Sequence, residues 1–498
     1  MSANLFSRMR SSCSSNAIAL QSGSTQLSMS DLQSRAESLA ATLQQIGAER
    51  VAIYANNGVD FVIADLACQC AALVAIPLPL FFSAEQIRHA VSSAGVDTII
   101  ADRDISSIIP ESRCAESVGP LPSAVDHIYR LQAERDVALP DSTQKITFTS
   151  GTTGTPKGVC LSTEQQLVLA ESLASVIALD APKHLCVLPL STLLENLAGI
   201  YAPLIAGGVV IAPPLEEVGL TGSSGLDLNQ WLSCIDHHQP NSLILVPEML
   251  IAMTQAAEAG WPVPASLQFV AVGGGKVAAE ILSRAHDVNI PAYEGYGLSE
   301  CASVVSLNLP AASRSGSAGL PLPHVNVAIE NSEIVVRGSS FLGYVDQPDT
   351  WGVDEVRSGD IGRLDEDGFV YVEGRLKNQM ITSFGRNLSP EWVESELLSG
   401  PILRQAVVIG DDRPYCVALV FPNDPSFTPA DISIWIESVN SRLPDYARIC
   451  NWTLLPASLG EHNGLATQNG RLKRAAIEKA YQHEIESLYD IRQEASAQ

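Results

Sequence analysis

The sequence predicts an α/β protein that ends in a smaller α+β unit. Three observations carry this expectation. Apolar strand-like runs alternate with helix-like segments from about residue 30, the signature of a parallel sheet covered by helices. Beyond about residue 310 the texture changes to short strands with turn residues, and from about 378 helices and strands mix. At 498 residues and 46% hydrophobic, the chain has material for more than one core.

Taken in order, AIAL (17–20) is strand-like and closely follows an N-terminal stretch with no acid, Arg8, Arg10 and many serines. That composition weakly resembles a transit sequence, but the nearby strand favours a frayed start. SDLQSRAESLAATLQQIG has Ser30 or Asp31 as a helix start and Gly47 as a stop. A strand at RVAIYAN (50–56), a helix to Ala72, the apolar VAIPL, a helix from Ser83 and a strand at DTIIAD (97–102) complete a first α/β unit. A second begins with a helix from Thr163 to Leu179, capped by Ser162 or Thr163, and continues through VVIA (209–212), SLILV (242–246) and FVAV (269–272). NVAIENSEIVVRG and GFVYVEGR predict a small β-structure. The last unit holds a helix at PEWVESELL, strands at AVVIG and YCVALVF, and helices at DISIWIESVNSRL and 471–487. LGEHNGLATQNG (459–470) reads as a mobile loop within it.

With 55 acidic against 30 basic residues, the formal charge of -25 excludes a general grip on nucleic acid or anionic lipid. Any polyanion must be held locally. Ten cysteines lie scattered without a CxxC pair or a Cys/His spacing suited to a zinc cage, and read as small buried residues of a reducing compartment. The nine histidines include no HExxH, so a zinc hydrolase has no support. The densest apolar run, AALVAIPLPLFF, is broken by Pro77 and Pro79, which predicts a soluble, cytoplasmic protein with no membrane span.

FTSGTTGTPKG (148–158) is the chemical centre of the sequence. Its glycines let backbone N–H groups approach phosphate oxygens, and its hydroxyls and Lys157 add donors. A Walker loop requires Gly-Lys-Ser/Thr, whereas Lys157 stands between Pro156 and Gly158. A rival nucleotide signature lies at FVAVGGGKVAAEIL, where Gly273, Gly275 and Ala278 fit G-x-G-x-x-A and Glu294 follows as an acid. It keeps an NAD-dependent oxidoreductase open as an alternative.

Together with PAYEGYGLSE (291–300) and RSGDIGRLDEDGFVYVEGRLKNQMI (357–381), in this order and at these separations, FTSGTTGTPKG resembles the adenylate-forming superfamily of acyl-CoA synthetases, aryl-CoA ligases, nonribosomal adenylation domains and luciferases. The likeness runs from about residue 30 to the end. It implies a large N-terminal adenylation domain over 1–376, made of two α/β subdomains and a small β-barrel, and a small mobile α+β C-terminal domain over 377–498 that turns about a hinge near Lys377.

By the same resemblance, Thr149, Ser150, Gly151, Thr152, Thr153, Gly154 and Lys157 hold the ATP phosphates, and Gly273, Gly274 and Gly275 lie along adenine and the acyl pocket. Tyr296, followed by Gly297, stacks on adenine. Ser299 takes the place of a threonine at the α-phosphate, and Glu300 binds Mg2+. Asp360 accepts the ribose hydroxyls, and Arg375 sits near ribose and phosphate. Asn378 replaces an aspartate usual beside the hinge lysine. NGRLKR (469–474) resembles the motif of the adenylation lysine, but Arg471 occupies that register and Lys473 follows two residues later.

LPLSTLLENLAG (188–199), with Glu195 kept and Thr192 in place of histidine, resembles the long-chain fatty acid version, as does SFGRNLSPEWVE (383–394). Leu193, Leu194, Met249 and Val272 are candidates for an apolar acid pocket. The implied activity is ATP-dependent conversion of a fatty or aryl acid to acyl-AMP, then transfer to coenzyme A. The phosphopantetheine of an acyl carrier protein is the alternative acceptor, and a catalytically silent nucleotide- or acyl-binding protein is a further alternative. A monomer or homodimer is expected.

Overall fold

In the computed structural model, residues 4–8, 15–109, 114–118, 127–132, 137–149, 156–222, 225–381, 387–467 and 472–495 are described. Strands Arg50–Tyr54, Val74–Pro77 and Thr98–Ala101 are buried along nearly their whole length, as suits parallel strands covered on both faces. They pair in parallel at the centre of a first sheet, with Val74–Pro77 next to Lys145–Thr149. One edge then turns antiparallel through Lys157–Leu161 and Gly343–Tyr344.

A second sheet carries Ala292–Tyr296, Phe269–Val272, Ser242–Leu245, Lys183–Leu185, Val209–Ile211 and Ile18–Ser22 as parallel neighbours, in that order. Its last parallel member comes from the N-terminal end of the chain. Helix Met29–Gln45 packs on helix Val59–Ala71 and on strands Ile18–Ser22 and Thr25–Ser28, burying Leu32, Leu39 and Leu43.

Helix starts follow hydroxyl caps. Ser83 and Ser162 cap Ala84–Ser93 and Thr163–Ile177, each in a reciprocal box with a glutamine. The first long helix differs from expectation, because its cap is Ser28 rather than Ser30 or Asp31. Asp31 supplies the return bond, its Oδ2 accepting from Ser28 N–H at 3.2 Å.

Where a small β-barrel is expected, strands Asn326–Glu330, Glu333–Arg337, Glu355–Leu364 and Val370–Arg375 form an antiparallel four-stranded sheet in that order. After it comes a three-stranded sheet of Leu403–Ile409, Cys416–Pro422 and Ile449–Leu454. Alternation places Ala406, Val408, Ala418 and Val420 against helices Pro390–Leu397 and Pro429–Asn440, while Val407, Ile409, Val417 and Leu419 meet Ile477, Ile485 and Leu488. The helix expected at 471–487 is two, Arg474–Ala480 and Gln482–Ala495, parted at Tyr481. Among the described residues, no helix is long and apolar enough to cross a membrane.

One buried polar network bears on the site. Lys145 Nζ lies 2.9 Å from Asp65 Oδ1, and Tyr201 OH and Asn196 Nδ2 both donate to Asp65 Oδ2. These bonds tie strand Lys145–Thr149 to helix Val59–Ala71 and to a π-helical segment, Glu195–Tyr201. Pairing keeps the two charges tolerable in an interior that would penalise either alone.

Candidate active site

The two ends of the FTSGTTGTPKG stretch pair as antiparallel strands. Thr149 closes one strand, Lys157 opens the next, and the two stand opposite each other in the ladder. Ser150, Gly151, Thr152, Thr153 and Gly154, between these ends, lie outside the described residues. Lys157 Nζ stands 5.2 Å from the centre of the Tyr344 ring. Tyr344 reaches that position because Gly343–Tyr344 adds to the edge of Lys157–Leu161, with Tyr344 opposite Val159.

Tyr344 OH donates to Glu300 Oε1 at 2.7 Å. Lys157, a phenol and the carboxylate expected to bind magnesium are therefore linked in one line. Burial, then the neighbouring Glu300 charge, push the Tyr344 phenol up, so it remains a donor. Glu300 itself lies on a short 3₁₀ turn, Ser299–Cys301, and its carbonyl accepts from Phe341 N–H at 2.7 Å. The turn before it requires glycine: a Cβ on Gly297 would stand 1.6 Å from the Ser303 carbonyl oxygen.

Tyr296 points the other way along the same segment. Its OH donates to Asp360 Oδ2 at 2.6 Å, and Arg375 Nε stands 2.8 Å from Asp360 Oδ1. Asp360 and Arg375 face each other across the antiparallel ladder of Glu355–Leu364 and Val370–Arg375. Ser358 Oγ accepts from Asp360 N–H at 3.0 Å and fixes the backbone behind the carboxylate. Burial and then the Asp360 charge hold the Tyr296 phenol in its neutral form. The 296–300 segment thus joins two arrangements, Tyr296–Asp360–Arg375 and Glu300–Tyr344–Lys157.

Gly273, Gly274 and Gly275 follow strand Phe269–Val272, and Gly273 N–H donates to the Leu245 carbonyl at 3.0 Å. A Cβ on Gly273 would lie 3.7 Å from Leu194 Cδ2. Leu194 lines a small apolar cavity of about 60 Å³, together with Ala198, Phe269, Ala271, Val304 and Leu307. Leu193, Met249 and Val272 are instead buried in the cores. Glu294, the acid of the dinucleotide-like signature, is only 6% exposed within strand Ala292–Tyr296, and burial pushes its carboxyl up to about 7. An acid closed inside a strand is unsuited to the ribose of a dinucleotide.

Lys377 sits on a short 3₁₀ turn, Leu376–Asn378, just after Arg375. Lys473 is exposed and precedes helix Arg474–Ala480. Arg471 lies outside the described residues. Arg474, the last residue of NGRLKR, is turned inward, with Nη1 2.6 Å from Glu394 Oε1. Sequence reasoning missed Tyr344 and Ser358. For Tyr344 the available signal was a Gly-Tyr pair ahead of a proline turn, which identifies a strand but not its partner.

A donor-rich stretch with paired ends, a buried acid held by tyrosine and arginine, and a following α+β unit define an adenylate-forming enzyme. Residues 8–343 match the model of the AMP-binding enzyme family and residues 377–493 that of the AMP-binding enzyme C-terminal domain; the chain belongs to this family. Among its relatives, a long-chain-fatty-acid–CoA ligase of Mycobacterium bovis is 25% identical over 89% of this chain and 88% of its own. A feruloyl-CoA synthase of Amycolatopsis sp is 29% identical over 86% of this chain and 90% of its own. In fold, the chain is similar to the anthranilate CoA ligase AuaEII in complex with anthranoyl-AMP, with a TM-score of 0.78, 16% identity and 96% of both chains covered.

Proposed function

We propose that the protein is an AMP-forming acid–thiol ligase that joins an apolar carboxylic acid, fatty or aryl, to coenzyme A at the expense of ATP. The observation that carries this reading is the 296–300 segment, which joins the Tyr296–Asp360–Arg375 cluster to the Glu300–Tyr344–Lys157 line beside an apolar cavity. The relatives' names, a fatty acid ligase and a feruloyl ligase, support an apolar acid.

In this reading Asp360 accepts the ribose hydroxyls, Tyr296 presents its ring to adenine, and Lys157 with the paired strand ends takes the phosphates. The Glu300 carboxylate, oriented by Tyr344, has the hard oxygen donors that suit Mg2+, which when bound neutralises phosphate charge. A carboxylate oxygen of the acid attacks the α-phosphorus, the bond to pyrophosphate breaks, and acyl-AMP forms. Two anions must meet for this, so a cation from 471–473, Lys473 or Arg471, is carried to the acid by movement of the C-terminal domain (377–498) about Lys377. The thiol sulfur then attacks the acyl carbonyl, its proton is lost, and AMP leaves.

Pyrophosphate release across fatty, benzoic and cinnamic acids, with and without coenzyme A, tests the proposal. Acid-dependent release with thioester formation is expected; ATP binding without acid-dependent pyrophosphate overturns it. Lys473→Ala and Arg471→Ala, assayed separately in the two half-reactions, identify the cation. If neither slows acyl-AMP formation, the cation lies elsewhere.

A further inference from the structure

The wall between the second sheet and the π-helical segment holds three metal-type ligands that the proposed reaction does not use. His184 and Cys186 are two residues apart along a strand and its end, a spacing that puts both on one face, and Glu195 opens the π-helical segment opposite them. One ligand atom from each lies within 4.8 Å of the others, and all three side chains are buried. Among the described residues no other group of three has this character.

The polar atoms of this group are poorly satisfied. His184 Nδ1 pairs with Ser242 Oγ at 2.9 Å, but His184 Nε2, 3.5 Å from Glu195 Oε1, has no hydrogen-bond partner. Neither oxygen of Glu195, which is 0% exposed, has a well-formed partner; His184 Nε2, the Cys186 thiol and Val187 N–H are the donors nearest to it, and Cys186 Sγ donates to the Gly199 carbonyl at 3.8 Å. Buried carboxylates are normally saturated with donors, so two orphan oxygens facing an imidazole nitrogen and a thiol indicate a missing occupant. Gly199 lets the segment close on this group: a Cβ there would stand 2.9 Å from His184 Nε2 and 3.1 Å from the Glu195 carboxyl carbon.

We propose that His184, Cys186 and Glu195 form a site for a zinc-like divalent metal ion that pins the π-helical segment to the sheet beneath the acid cavity. Imidazole nitrogen, thiolate and carboxylate are all zinc donors, and three protein ligands leave a fourth position open. Charge favours the assignment, since one thiolate and one carboxylate balance a divalent ion and leave a neutral group in an apolar wall. Tetrahedral zinc spaces its ligand atoms roughly 3.3–3.8 Å apart, so side-chain shifts of about 1 Å close the cluster on the ion. The Cys186 proton is released to solvent on binding. His184, Leu194 and Ala198 line the cavity, so the ion would stiffen its wall. The site stands independently of which acid or thiol the enzyme uses.

Because the site is closed, metal is supplied during growth and during refolding of the full chain, in excess magnesium and without ATP. About one zinc per chain is expected after desalting, and Cys186→Ser and Glu195→Gln lower retained zinc more than tenfold. Cobalt-loaded protein shows a thiolate-to-cobalt charge-transfer band that Cys186→Ser abolishes. Zinc below about one tenth per chain with no cobalt band overturns the proposal. So does full zinc retention by a folded Cys186→Ser variant. If the variants fail to fold, zinc content and the cobalt band of the unaltered chain decide.

Discussion

Tyr344 makes a sharp residue-scale test, because a single hydroxyl separates it from phenylalanine. Removing the 2.7 Å bond to Glu300 leaves the ring over Lys157 in place but frees the carboxylate to turn. A hydrogen bond to a charged group contributes about 1.5–3 kcal/mol, so Tyr344→Phe should slow pyrophosphate release roughly 10- to 100-fold and raise the magnesium requirement. An unchanged magnesium dependence would separate Tyr344 from the metal. Glu294 provides a pH test. Its folded-state carboxyl, near 7 against an ordinary 4.5, keeps its proton longer than in the unfolded chain. Its contribution to stability is therefore most favourable at low pH and is lost as pH rises through that window, by about 3 kcal/mol in all. Glu294→Gln should raise the apparent Tm at pH 8 and leave it nearly unchanged at pH 4.5; equal shifts at both would refute the assignment. The motifs that hold the candidate residues were legible because each is local in the chain. Tyr344 and Ser358 were not, since their roles come from cross-strand register and backbone bonding that no short stretch records.

At the scale of the element, starts were easier to read than stops and partners. Ser83 was legible as a start and Ser162 as one of two candidates, and in the structure each hydroxyl has a glutamine three residues on that returns its bond. Ser28 was obscured by Ser30 and Asp31, and only the Asp31 side chain folding back to Ser28 N–H decides the start. The turn Leu376–Asn378 carries the clearest element-scale prediction. Lys377→Pro fixes one backbone angle and should impair exchange between the two half-reactions while sparing whichever conformation the ring tolerates. Acyl-AMP formation and thioester formation from supplied acyl-AMP, measured separately, should fall unequally. Equal rates to the unaltered enzyme in both would remove Lys377 from the hinge.

Across the whole molecule, the charge of -25 bears on the thiol acceptor. Coenzyme A needs only a local grip, whereas an acidic carrier protein meets a like-charged surface. Transfer to such a carrier should be slow at low salt and should speed up as ionic strength approaches about 0.15 M, where the Debye length is about 8 Å. Transfer that slows with salt would reveal a complementary patch instead. The division into α/β layers was legible from periodicity, but the strand order was not, because neighbours in a sheet are chosen by packing between distant segments. Ile18–Ser22 shows this most plainly: it lies beside Val209–Ile211, across the length of the first α/β unit. That pairing also sets an order of events during synthesis. The second sheet cannot take in the strand Ile18–Ser22 until the ribosome has delivered the residues near 210, so this segment waits without its parallel neighbour while the first α/β unit is made. Until Val209–Ile211 arrives the strand is paired with Thr25–Ser28 alone, and translation pauses between these two points lengthen that exposure.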